Sequence, residues 1–178
     1  MSRSWLRSEA LKIEPLESTA DERLQRGLEL SFAFLNRRER TTDELRRQLE
    51  RKGISADTAE ACLRELQAQG YMDDGRYAFL FVQDKRELEG WGSERIRRGL
   101  AERGVDRDLI DAALARYETE LAPDETELDR AVALLRRRFP TPPRERRDRD
   151  RALGTLIRKG FESELALDAL SAYARGSD

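Results

Sequence analysis

The chain has no histidine and a single cysteine, Cys62. The first absence removes the usual general base and the commonest metal ligand. The second leaves no partner for an intramolecular disulfide, which fits a reducing cytosol. Apolar residues are 38% of the 178, below the roughly 45–50% usual in a globular domain. No stretch is long and apolar enough to span a membrane, and the opening residues lack a signal-peptide apolar run. A cytoplasmic protein with no membrane contact is therefore expected. Sustained period-2 alternation is missing, so essentially no sheet is expected. No glycine-rich phosphate loop, nucleophile elbow or clustered ligand set is present. Neither an enzyme nor a bound cofactor or metal is expected. The net charge of −2 gives no global attraction to nucleic acid, and only four of 34 basic residues are lysine: Lys12, Lys52, Lys85 and Lys159. Arginine suits phosphate and bidentate carboxylate contacts, although genomic codon bias explains such a skew more simply.

What the chain does have is a recurring corner. It reads Leu49, Gly53-Ile54, Leu63; then Leu100, Gly104-Val105, Leu114; then Leu156, Gly160-Phe161, Leu170. Aligned on the glycine, Leu45, Ile96 and Ala152 also correspond, as do Lys52, Arg103 and Lys159, and Cys62, Ala113 and Ala169. A fixed period of roughly 50 residues marks a repeat architecture. Leu45 and Leu49 stand one turn apart and form an apolar stripe. The glycine then supplies the left-handed residue that ends the helix, and the cation before it faces the negative end of the dipole. One unit is helix, corner, helix, with a preceding helix covering the remaining apolar face. The expected fold is all-α: an elongated, curved array of three tandem three-helix repeats. An N-terminal arm takes 1–18, and the repeats take 19–72, 73–120 and 121–178. Cys62 reads as a small core residue, since its counterparts are alanines.

Local signals place the helices. Thr19 to Glu22 resembles a capping box and opens a helix through Leu24, Leu28, Phe32 and Leu35, ending near Asn36. Thr41 to Glu44 opens the Leu45/Leu49 helix, and Ser55 the next, as far as Gly70. Asp73 or Asp74 caps a helix carrying Tyr77, Ala78, Leu80, Phe81 and Val82. That is the most apolar run, expected to be buried from both sides. Ser93 and Asp106 are expected to cap the two helices that follow, and Pro123-Asp124 to open the third unit. Pro140, Pro142 and Pro143 make a firm break, and the sign-alternating run from Arg144 to Arg151 reads as a solvated helix start or loop. The Asp73-Asp74 pair suits a cap better than a metal site.

The stretch Gly70-Tyr71-Met72-Asp73-Asp74 with Tyr77-Ala78, preceded by Thr42, Glu44, Leu45, Leu49, Lys52 and Gly53, resembles the signature of the RecX family, regulators of the RecA recombinase. Gly92, Ile96, Leu100, Gly104 and Val105 continue the resemblance in the second unit. It extends over about residues 30–172 and is weakest in the third unit. It implies three-helix units in tandem, no catalysis, and binding to the RecA–DNA filament. It also implies restraint of filament growth and of the ATPase, strand-exchange and coprotease activities that depend on it. Of the motif residues, Gly53, Gly70, Tyr71, Asp73, Asp74, Tyr77, Ala78 and Gly104 read as mainly structural. Tyr71, Tyr77 and Phe81 fit core packing better than base stacking.

A curved helical array offers a long concave surface able to follow a helical groove, and its charges can segregate by face. Arg47 and Arg51 share a face opposite the leucine stripe, with Arg46 beside them. Arg97 and Arg98 hold the places of Arg46 and Arg47 in the second unit. Arg37, Arg38 and Arg40 cluster where the first helix ends, and Arg136, Arg137 and Arg138 do so in the third unit. Lys52, Arg103 and Lys159 are primarily C-terminal helix cations, with phosphate contact as a second role. Singly these residues read as solvated faces; together they are the candidate patch for DNA or filament. The expected partners are the RecA filament and, weakly and without sequence preference, single- or double-stranded DNA, engaged by a monomer. Two other readings stay open. One is a helix-turn-helix regulator whose Ser55 helix enters the major groove; the other is a generic helical scaffold for proteins.

Overall fold

The computed structural model describes residues 19–176; the expected arm at 1–18 lies outside them. Among the described residues there are nine helices and no strand. They are α1 (Ala20–Leu35), α2 (Thr42–Arg51), α3 (Ala56–Ala68), α4 (Asp74–Glu87), α5 (Ser93–Ala101), α6 (Arg107–Glu120), α7 (Glu127–Arg138), α8 (Arg146–Lys159) and α9 (Ser163–Arg175). None is long and apolar enough to cross a membrane.

The helices form three sets of three, each with its own core. In each set the first helix packs on the third: α1 on α3, α4 on α6, α7 on α9. The first core gathers Leu45, Leu49, Ile54, Cys62 and Leu63; the second Ile96, Leu100, Val105 and Leu114; the third Ala152, Leu156, Phe161 and Leu170. The aligned apolar positions of the repeat are thus core positions in all three copies. Cys62 is fully buried, its thiol 3.8 Å from the Leu24 carbonyl, and burial pushes its pKa up.

The corners are built alike. Gly53, Gly104 and Gly160 are left-handed, with φ of 79°, 74° and 88°. The following residue reaches back five positions: Ile54 N–H donates to Leu49 O, Val105 N–H to Leu100 O and Phe161 N–H to Leu156 O, at 3.1–3.2 Å. That bond, with the glycine N–H donating to the carbonyl three residues earlier, is the Schellman arrangement, in which the next apolar side chain seals the helix end.

The structure corrects three local expectations. Gly92, not Ser93, is the N-cap of α5, because the Ser93 hydroxyl donates to Glu127 at 2.5 Å. The third set opens at Thr126, whose capping box with Asp129 displaces Pro123-Asp124 from that role. Helix α4 buries one side only: Ala78, Val82 and Arg86 are inside while Leu80 is 40% exposed, since α4 rests mainly on α6. The caps at Thr19, Ser55, Asp73 and Asp106 stand as read. Among the described residues no strand follows Gly70, where a winged helix would need two.

The chain divides into two bodies. One holds residues 19–40 and 44–72; the other holds 41–43 and 73–176.

Candidate nucleic-acid interface

In the first body most predicted cations already have work. Arg38 lies 3.0 Å and Arg40 3.9 Å from Glu44, and the Arg40 guanidinium sits 4.2 Å from the Phe34 ring centre. Arg46 pairs with Glu60 at 2.6 Å, and Arg51 donates to Gln48 at 2.8 Å. Arg37, Arg47 and Lys52 are exposed. In the second body Arg97 pairs with Asp111, Arg103 donates to the Gly99 carbonyl at 2.5 Å, and Arg98 is exposed. Arg46 and Arg97 hold the same repeat position, and so do Glu60 and Asp111. One ion pair therefore ties the second helix to the third in both sets, a role that the face-by-face reading missed.

Helices α5, α7 and α8 bring a concentration of positive charge together. A cleft of about 480 Å³ is lined by Arg95, Arg138, Phe139, Arg151, Thr155, Arg158 and Lys159. Five cations and no carboxylate line it. Arg136 and Arg137 are exposed beside Arg138 in the last turn of α7. Three of the lining cations rest on neutral acceptors: Arg95 on the Arg158 carbonyl at 2.9 Å, Lys159 on the Glu89 carbonyl at 2.6 Å, Arg158 on the Thr155 hydroxyl at 3.4 Å. Arg95 also lies 4.1 Å over the Trp91 ring. Burial, then Arg95, Arg138 and Arg137, push the Lys159 ammonium below its ordinary pKa against the pull of Glu89, and Glu89 is itself held by Lys85. Like charges held this close favour a polyanionic ligand.

Two backbones in contact create the cleft. Gly92 N–H donates to Lys159 O at 2.8 Å and Glu94 N–H to Gly160 O at 3.0 Å. A Cβ on Gly92 would overlap the Gly160 carbonyl, and one on Gly160 would overlap Arg95. The pair of glycines thus lets the start of α5 reach the end of α8 and sets Arg95 beside Arg158 and Lys159. The same device recurs within the second body. Thr41, at the repeat position of Gly92, donates to Arg103 O at 2.6 Å, and a Cβ on Gly104 would overlap Asp43.

A buried charge network fixes this joint. The Arg86 guanidinium is 1% exposed, donates to the Ser93 hydroxyl at 2.8 Å, and lies 3.5 Å from Glu127 and 3.6 Å from Glu118. Glu127 also accepts from Ser93 N–H at 2.7 Å. Burial raises the Glu127 pKa, but the two Ser93 donors, Arg86 and Arg130 outweigh it and hold the carboxyl below its ordinary range.

The motif residues divide by task. Asp73 caps α4 at the Arg76 N–H, 2.9 Å away, while Asp74 accepts from Thr42 N–H at 2.9 Å and serves α2. Ala78 is fully buried. Tyr77 is half-buried and stacks on Phe81 with centres 6.3 Å apart. Tyr71 is 56% exposed, so it is not a core residue; its ring meets Phe32 edge-on at 5.1 Å. Sequence reading missed Arg95, Arg151 and Arg158. The spacing of Arg151, Thr155 and Arg158 (i, i+4, i+7) was a usable sign that they share a face.

Comparison with known proteins follows the same division. The models of the first, second and third three-helix domains of RecX match residues 28–66, 73–114 and 125–170. The regulatory protein RecX of Xanthomonas campestris pv. campestris (strain B100) is 35% identical over 139 residues, covering 78% of this chain and 82% of its own. That of Amycolatopsis mediterranei (strain U-32) is 32% identical over 163 residues, 90% of both chains. In fold, the chain resembles the crystal structure of RecX from Lactobacillus salivarius with a TM-score of 0.71 at 20% identity, over 86% of this chain and 97% of that one. A second crystal structure, of regulatory protein RecX, gives 0.65 at 24% identity over 82% and 70%. The chain belongs to the RecX family of regulatory proteins.

Proposed function

We propose that this chain is a non-enzymatic inhibitor of the RecA recombinase, acting as a monomer in the cytoplasm. It binds the RecA–DNA nucleoprotein filament and restrains its growth, and with it the ATPase, strand-exchange and coprotease activities. The observation that carries the reading is the acid-free cationic cleft in a member of a regulatory family. Cations resting on neutral acceptors can turn to phosphate without breaking an ion pair, and phosphate contacts carry affinity without sequence information. DNA binding is accordingly weak and indifferent to sequence. The exposed Arg98, Arg136 and Arg137 supplement the cleft, the exposed Arg47 is a separate contact of the first body, and Arg46 and Arg97 serve the fold. Titrating labelled chain onto RecA-coated and bare single strands tests this. Tighter binding to the coated strand, equal across scrambled sequences, is expected; no binding to the coated strand would overturn it.

A further inference from the structure

The ion pair that joins the second helix to the third in two sets is absent from the third set. At the repeat positions of Arg46 and Arg97 stands Leu153; at those of Glu60 and Asp111 stands Leu167. One turn beyond Leu153, at the place of Glu50 and Ala101, stands Ile157. Where the first two sets present a charged bridge, the third presents leucine and isoleucine, with Ile157 41% and Leu167 50% exposed. Between α8 and α9, Leu153 and Leu167 line a groove of about 330 Å³ with Leu170, rimmed by Arg144, Arg146, Arg149 and Asp150.

Single exposed leucines are ordinary, but here three leucines share one groove with four charged side chains. Its rim carries three cations against one carboxylate, so the complementary ligand is acidic as well as apolar. Nucleic acid meets the charge requirement but offers no aliphatic or aromatic side chain for the leucines. With 3.6 residues per turn, Leu153 lies on nearly the opposite side of α8 from Arg151, Thr155 and Arg158. One helix therefore turns the cations of the cleft one way and the leucines of the groove the other.

We propose that the α8–α9 groove docks a protein segment in which one or two large apolar side chains are flanked by carboxylates. Resting on the function proposed above, that segment belongs to the protein component of the filament, while the cleft on the far side of α8 takes DNA. The repeat itself supplies the test. Leu153→Arg with Leu167→Glu restores the ion pair used by the other two sets, so the fold tolerates it while the groove loses its apolar character. Leu167→Gln, at a half-exposed side chain, is the milder second variant. Each is titrated onto RecA-coated and onto bare single-stranded DNA beside the unsubstituted chain. The double variant is expected to lose about tenfold or more in affinity for coated strands, with Leu167→Gln intermediate and bare-strand affinity unchanged. Unchanged affinity for coated strands overturns the groove proposal. Equal losses on coated and bare strands overturn it too, since the groove would then serve the fold or the DNA. If the unsubstituted chain fails on coated strands, the functional reading itself falls, a different and separately visible result.

Discussion

Gly70 and Gly160 share a left-handed backbone, φ 74° and 88°, but not their surroundings. Nothing lies within 4 Å of where a Cβ on Gly70 would sit, whereas one on Gly160 would overlap Arg95 backbone and side chain. Gly70→Ala carries only the left-handed strain, about 1 kcal/mol. Gly160→Ala adds a clash that no side-chain rotation relieves, and should cost at least about 3 kcal/mol. Urea denaturation of the two variants distinguishes them; equal losses would show that the corner is only a turn and not a joint. Arg86 is the other residue on which the second body depends. Arg86→Met leaves Glu127 facing Ser93 and Arg130 without its buried cation, a change expected to cost about 3 kcal/mol. Because Glu127 is held below its ordinary value of 4.5, its contribution is complete above that pH and fades as the pH falls through the lower folded value. Glu127→Gln should therefore destabilise the chain at neutral pH and converge with the unsubstituted chain in acid. Parallel stability curves down to that range would contradict this.

Among the elements, what local rules govern was legible and what distant partners govern was not. Leu45, Leu49, Gly53 and their counterparts follow helix periodicity and left-handed capping, so the corners could be read directly. Arg86 continues the Ala78–Val82 stripe by helical spacing, but its carboxylate partners come from α6 and α7, and nothing near it in the chain announces them. Arg95 joins Arg151 and Arg158 only because Gly92 and Gly160 let α5 touch α8. Arg46 and Arg97 read as a DNA face from helical spacing alone, but Glu60 and Asp111 on the next helix of each set hold them. At this scale, Arg46→Ala should cost less than about 1 kcal/mol of stability, as half-exposed ion pairs do, and should leave DNA affinity nearly unchanged. Reversing Arg138, Arg151 and Arg158 to Glu should instead weaken single-strand binding steeply. It should also flatten the dependence of log affinity on log salt by about 2, near 0.7 per lost phosphate contact. An unaltered salt slope would move the DNA contact away from the cleft.

For the whole molecule, a net charge of −2 with 39% charged residues conceals a division of labour. In the first body Arg38, Arg40 and Arg46 are tied to carboxylates, an acid-free cleft concentrates the cations of α5, α7 and α8, and the far side of α8 turns leucines and a charged rim to a second groove. Such a chain is suited to docking on a nucleoprotein through two chemistries at once. The measurement that tests this most directly is ATP hydrolysis by RecA on single-stranded DNA as the chain is added. Slowing at amounts well below one chain per RecA protomer is predicted, because under the proposed function each bound chain would restrain many protomers of a growing filament. A hydrolysis rate unchanged even at molar excess would contradict the account.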